Sequence, residues 1–161
     1  MTKPYGRFFI AAILTGALIG TTLLLGSGDS RPLRMLGAFF ALLALGFFIP
    51  PFFILRKYGE IKEGETFLDT QVVVKAGIYQ IVRHPQYLGY IFLTFTFMLL
   101  SQHWLTTLFG VGAALFFYLH ILQEEEYCLA RFGNDYREYM QLVPRLNVVS
   151  GVFRLLTALM Q

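Results

Sequence analysis

Hydrophobic and polar positions along this chain fall into long blocks rather than alternating. Residues 8–26 and 35–55 carry no charged side chain, and residues 84–123 hold no Asp, Glu, Lys or Arg. A hydrocarbon core of ~30 Å is crossed by about 20 apolar residues in a helix. The first two blocks therefore predict one span each. The third predicts two, divided at the polar triplet Ser101-Gln102-His103. Backbone surrounded by lipid must hydrogen-bond to itself, so helices are expected, and unbroken apolar runs lack the alternation of a barrel strand. The pattern predicts an all-α fold, a polytopic transmembrane helical bundle. Its spans lie at about residues 8–26, 33–55, 85–100 and 104–123, followed by a C-terminal cytosolic or interfacial helical segment.

Local signals refine these elements. Gly16 and Gly20, with Ala12 one turn earlier, put small residues on one face of the first helix, where another helix of the same chain or of a second chain can approach closely. Pro50-Pro51 removes two backbone donors and predicts a kinked or interrupted end to the second helix. A structural kink and a break that admits a ligand both fit that feature. Pro85 suits a first helical turn, and Trp104 an interface anchor. The fourth helix is expected to run on through Glu124-Glu125-Glu126 into water and to stop at Gly133. Residues 56–83 are long for a structureless connection, which points to a functional loop. Residues 147–160 are apolar around a central Arg154, the mark of an interfacial helix rather than a fifth span.

Composition agrees with the pattern. The 161 residues suffice for a single domain, 1–161, with 56% hydrophobic and only 14% charged side chains, where about 25% charged is usual. The first run is too long for a signal-peptide core, so both early runs are expected to be retained. Cys128 is the single cysteine, which leaves no intramolecular disulfide. Net charge is +3, and the basic residues sit at membrane boundaries, which favours membrane lipids as partners and gives no nucleic-acid footprint. With the N-terminus inside and four spans, Lys3, Arg7, Arg56, Lys57, Lys62, Lys75, Arg83, Arg131, Arg137, Arg145 and Arg154 fall on the inner side. Only Arg31 and Arg34 of the 13 basic residues fall outside. The positive-inside rule then expects a multi-pass protein with both termini cytosolic.

Two polar clusters bracket the third and fourth helices: Tyr79, Arg83, His84, Pro85, Gln86 and Tyr87, then His120 and Glu124 to Glu126. A tight hairpin would bring them together at one membrane boundary, where ionisable groups are costly unless paired or functional. Headgroup snorkelling with Glu–Arg pairing and a binding site both fit. Glu124 lies one turn after His120 on the same helix face. His84, His120 and Glu124 lack any recognised metal-ligand spacing, and no phosphate loop or nucleophilic triad is present, so no metal is expected.

Arg83-His84-Pro85-Gln86-Tyr87-Leu88-Gly89, then Glu124-Glu125, then Phe132-Gly133 with Tyr136 and Tyr139, then Val143-Pro144-Arg145 resemble the isoprenylcysteine carboxyl methyltransferase and phospholipid methyltransferase superfamily over residues 71–145. The resemblance implies an enzyme that transfers a methyl group from S-adenosyl-L-methionine within the membrane to an amphiphilic or lipid-like acceptor, such as a prenylcysteine-type carboxylate. Phospholipid amine or small-thiol methylation stands as an alternative, and so does a non-enzymatic scaffold or transporter. By resemblance His84, Pro85, Gln86, Tyr87 and Tyr79 line the cofactor pocket. Glu124 and Glu125 supply the glutamate pair, with Glu124 toward the methionine end of the cofactor. Gln71, Val72, Val73 and Val74 cover the cofactor from the other side, with Gln71 where the family often has His. His120 stands where the isoprenylcysteine enzymes have an arginine facing the substrate carboxylate. His120, Glu124 and Arg145 are the candidates for the chemistry.

Overall fold

The computed structural model describes residues 5–66 and 68–160; Lys3, one of the charges in the orientation argument, lies outside them. The chain is helical along most of its length: α1 (Gly6–Leu25), α2 (Arg31–Tyr58), a 3-10 turn (Gly77–Gln80), α3 (Pro85–Ser101), α4 (Trp104–Phe132), α5 (Asn134–Leu142) and α6 (Val148–Leu159). Among the described residues there is no strand. Three helices, α1, α2 and α4, are long and apolar enough to cross a membrane. The expected third span, α3, has 17 residues, about 25 Å at 1.5 Å per residue, the short end of what a bilayer requires. Three helices are thus full-length candidates, and α3 is the short helix that residues 85–100 predict.

The surface explains why such a chain needs lipid. Leu42, within α2, is 69% exposed, and Leu24, near the end of α1, is 86% exposed. Large apolar side chains at that exposure are stable against hydrocarbon and a liability against water. Inside the bundle α2 lies along α3, α1 along α4, and α3 against α4, so α3 and α4 form the central pair. Gly89 brings α3 onto α2: a Cβ there would stand 3.2 Å from the Ala44 carbonyl oxygen and the Phe48 nitrogen. That close approach is the physical reason for the glycine that ends the Arg83–Gly89 motif.

At one end of the bundle the connections are tied together. The Ser30 N–H donates to Gln102 Oε1 and Gln102 Nε2 donates to the Ser30 carbonyl, each at 3.0 Å. Gln102 reaches that position in the left-handed region, φ 56°, between α3 and α4. His103 Nδ1 then accepts from the Leu105 N–H at 3.2 Å and caps α4. The predicted hairpin of the third and fourth helices is thus present.

Two local expectations fail. α2 is not interrupted at Pro50-Pro51 but continues as helix to Tyr58. The prolines cost two intrahelical bonds, yet the turns on either side keep theirs and Pro51 is fully buried in the bundle, so packing holds the helix through them. Within this chain the Gly16–Gly20 face carries no helix contact, since a Cβ on either residue would meet nothing within 4 Å. α1 meets α4 through other positions: buried Ala11 and partly buried Phe8 and Leu14 pack with Ala113 and Phe117. As expected, α4 runs past the apolar stretch to Phe132 and ends at Gly133, φ +58°, and residues 148–159 form the helix α6.

Candidate functional site

At the other end of the bundle, α4 projects beyond its apolar stretch and α5 folds back along it. Buried Tyr136, Tyr139 and Val143 pack there with Val73, Leu129 and Phe132. Glu125, one turn beyond Ile121, is the electrostatic centre of this end. Arg83 Nε and Nη2 donate to its Oε1 at 3.0 and 2.7 Å, and Arg145 Nε and Nη2 donate to its Oε2 at 3.0 and 2.6 Å. His84 Nε2 lies 3.2 Å from Oε1. The Glu125 side chain is 5% exposed and that of Arg83 7%, so two fork-like guanidinium contacts satisfy a carboxylate removed from water. The guanidinium of Arg145 is held more firmly protonated by its hydrogen bond to Glu125.

The same arginine ties the tail to the start of α3. Arg83 Nη1 donates to the Met140 and Val143 carbonyls. The Arg83 N–H donates to the Pro144 carbonyl at 3.0 Å and the His84 N–H to that of Arg145 at 3.4 Å. From α5, the Tyr139 phenol donates to the Tyr79 carbonyl at 2.6 Å in a buried bond. Burial, reinforced by Tyr139 and Glu124, pushes the Tyr79 phenol far above its ordinary value and keeps it neutral.

These ties border a cavity that is open in part to solvent. Val72, Val73, Val74 and Tyr79 line it from the loop and turn. His84, Pro85, Gln86 and Tyr87 line it from α3, and His120 and Glu124 from α4. Ten positions singled out in the sequence thus converge on one space. The other three sit elsewhere. Gln71 lies behind the wall: its amide donates to Glu65 at 2.8 Å and to the Asp69 carbonyl at 3.0 Å, and its oxygen accepts from Arg131 at 3.4 Å. Glu125 turns from the cavity into the Arg83–Arg145 cluster, and Arg145 is spent there and on the Tyr118 phenol at 3.2 Å.

Other lining residues were not singled out in the sequence as site residues. Tyr5 and Leu55 enter from α1 and α2, and Tyr127, Arg131 and Tyr136 close the outer side. The positions of Leu55, Tyr127 and Arg131 on long helices carry no local signature. Tyr136 and Tyr139 did carry a signal, their spacing after Phe132-Gly133.

Two buried atoms of residues on this cavity, His120 Nδ1 and Glu124 Oε2, have no hydrogen-bond partner among the described residues. The Tyr87 phenol lies beside the Glu124 carboxylate, and the His120 ring sits between those of Phe8 and Tyr87, with centroids 5.6 and 5.5 Å away. Buried polar atoms are nearly always satisfied in folded proteins, so two orphans on one cavity mark a place for a ligand.

The sequence model of the isoprenylcysteine carboxyl methyltransferase (ICMT) family matches residues 61–131, which hold the loop wall, the Arg83–Gly89 motif, His120 and the glutamates. This block, less than half of the chain, is similar to the ICMT family. The chain is 40% identical over 74 residues to a protein-S-isoprenylcysteine O-methyltransferase of Schizosaccharomyces pombe, covering 45% of this chain and 31% of that protein. It is 35% identical over 100 residues to protein-S-isoprenylcysteine O-methyltransferase B of Arabidopsis thaliana, covering 56% and 51%. A Dictyostelium discoideum protein-S-isoprenylcysteine O-methyltransferase is 33% identical over 76 residues, covering 47% and 32%. The matched stretch thus spans about a third to a half of the length of these ICMT relatives. No solved structure matches this chain.

Proposed function

We propose that this chain is an integral-membrane methyltransferase that takes its methyl group from S-adenosyl-L-methionine and gives it to a lipophilic acceptor. The observation that carries this reading is the convergence of Val72–Val74, Tyr79, His84–Tyr87, His120 and Glu124 on a single cavity at the end of an apolar bundle. Residues far apart in sequence, within or beside a stretch that matches a methyltransferase family, meet at one cavity that is open in part to solvent.

The donor set suits that cofactor. It is a cation at sulfur with an ammonium group, and the unpartnered Glu124 oxygen offers a carboxylate at the wall. Val72 to Val74 offer an apolar face for a flat base, opposite Pro85 and Tyr87. When bound, the cofactor supplies a methyl group already activated by the sulfonium. The protein's work is then to align the acceptor and to exclude water. Next to the cavity, the partly buried rings of Phe8 and Tyr87 pack with the buried Phe117. The Glu125 cluster holds His84 and residues 143–145 in place and so fixes the far wall. The glutamates, α5 and both termini face the cytosol in this reading, where the cofactor resides, and the acceptor arrives from the bilayer.

The relatives are named for O-methylation of isoprenylated cysteine, and a prenylcysteine-type acceptor is the reading that follows from them. Binding of labelled S-adenosyl-L-methionine to the purified chain in nanodiscs tests the proposal. Saturable binding that falls about 10-fold or more in Glu124→Gln, for loss of a hydrogen bond to a charged group, is the expected result. Absence of binding to the folded wild-type protein would refute it.

A further inference from the structure

The outer edge of the cavity carries a guanidinium bonded only to neutral groups, and the inference drawn from it rests on the cofactor reading above. We propose that Arg131 binds the carboxylate of the cofactor's amino-acid end while Glu124 meets its ammonium, and that Gln71 holds Arg131 in position. The observation behind this is that Arg131 and Glu124 line the same cavity from one helix, the first with no carboxylate beside it and the second with a buried, unpartnered oxygen.

Among the described residues two arginines line the cavity, Arg83 and Arg131. Arg83 is committed to Glu125 and to the Met140 and Val143 carbonyls. Arg131 donates to the Tyr127 phenol at 3.2 Å and to Gln71 Oε1 at 3.4 Å. Both contacts are long beside the roughly 2.7–2.9 Å of a guanidinium bound to a carboxylate, so an arriving carboxylate displaces a weak bond. The described ion pairs all converge on Glu125, and none involves Arg131. Residues 124, 127 and 131 recur at helical spacing and all three line the cavity. Seven residues rise about 10.5 Å along a helix. The bond to Tyr127, one turn back, shows that the Arg131 side chain leans toward Glu124 and shortens that gap. A ligand bringing one sign of charge satisfies one of the two residues. An amino-acid zwitterion brings both.

Gln71 then has a reason for its place behind the wall. Its Nε2 donates to Glu65 at 2.8 Å and to the Asp69 carbonyl at 3.0 Å, which fixes the amide with Oε1 toward Arg131. The Glu65 carboxylate is thereby held one amide away from the guanidinium, and the charge of Arg131 stays available to a ligand. Gln71 does not line the cavity and acts through Arg131, so it is a positioning residue.

The test is equilibrium binding to the full chain in phosphatidylcholine nanodiscs. Two ligands are compared, S-adenosyl-L-methionine and its decarboxylated analogue, which keeps the sulfonium and the amine. Arg131→Gln should weaken the cofactor about 10-fold, the scale of a hydrogen bond to a charged group, and leave the analogue unchanged. Arg131 is exposed at the rim, so added salt should shrink the preference of the wild type for the carboxylated ligand. Arg131→Lys keeps the charge and should retain part of that preference. Gln71→Ala should weaken the cofactor by less than Arg131→Gln does, again sparing the analogue. Equal losses for both ligands in Arg131→Gln, the result of a purely structural role, overturn the assignment, and so does a cofactor affinity that this variant leaves intact. Equal losses in Gln71→Ala overturn its positioning role. A folded wild type that binds neither ligand instead overturns the cofactor reading itself, and this inference with it.

Discussion

Glu125→Gln is the perturbation whose outcome follows most directly from the geometry. The carboxylate is 5% exposed and receives four guanidinium hydrogen bonds, two from Arg83 and two from Arg145. Removing one partner of a buried ion pair typically costs about 3–5 kcal/mol, because the remaining charge stays buried without compensation. Arg83 is that remaining charge, 7% exposed and fixed by the Met140 and Val143 carbonyls. Arg145 is 32% exposed and can turn toward water, so its share is smaller. Gln keeps the shape and one acceptor oxygen, which places the expected loss near the lower bound, about 3 kcal/mol. Arg145→Gln should cost less, about 1 kcal/mol, since Arg83 still neutralises Glu125. Both variants are measured by reversible denaturant or thermal unfolding in one detergent, with cofactor affinity followed in parallel. Loss of the Glu125 charge should also weaken cofactor binding, because His84 and residues 143–145 lose their anchor. A Glu125→Gln protein as stable as the wild type, or Arg145→Gln costing as much as Glu125→Gln, refutes the reasoning.

Gly89→Ala should destabilise by about 1–3 kcal/mol through overpacking, since its Cβ would press on the α2 backbone at 3.2 Å; the same unfolding assay checks it, and a neutral result would mean α2 and α3 separate at no cost. Tyr139→Phe leaves the buried Tyr79 carbonyl without its donor and should lose about 1–3 kcal/mol, with weaker cofactor binding in the nanodisc assay because the Tyr79 turn loosens. Stability should fall as pH climbs above about 10, the ordinary phenol value. Burial raises Tyr79, Tyr136 and Tyr139 in the folded chain, so the unfolded phenols ionise first and draw the equilibrium away. Thermal unfolding between pH 7 and about 11 should show the fall, and Tyr136→Phe should make it shallower.

Much of this protein is written in its sequence. Charge-free runs dictate membrane helices because the bilayer admits little else, and Gly133 and Pro85 mark helix ends that the structure keeps. The motif Arg83–Gly89 and the glutamates after His120 were visible as chemistry-bearing clusters, and ten of the positions they and the valine run supplied face one cavity. Local signals misled where the neighbours decide. Pro50-Pro51 reads as a break, yet α2 passes through because its packing outweighs two lost bonds. Gly16 and Gly20 read as a packing face, yet α1 turns Ala11 toward α4.

The division of labour between the two adjacent glutamates was settled only in three dimensions. Neighbours on a helix point about 100° apart, so Glu124 enters the cavity while Glu125 enters the arginine cluster. Which of them meets a ligand depends on where α5 and residues 143–145 fold back, a contact between segments distant in sequence. Composition and periodicity determine that a chain like this one lies in lipid. The return of its tail onto α3 and α4 determines how the cavity at that end is walled, because that closure places Arg145 on Glu125 while Glu124 and His120 stay on the cavity.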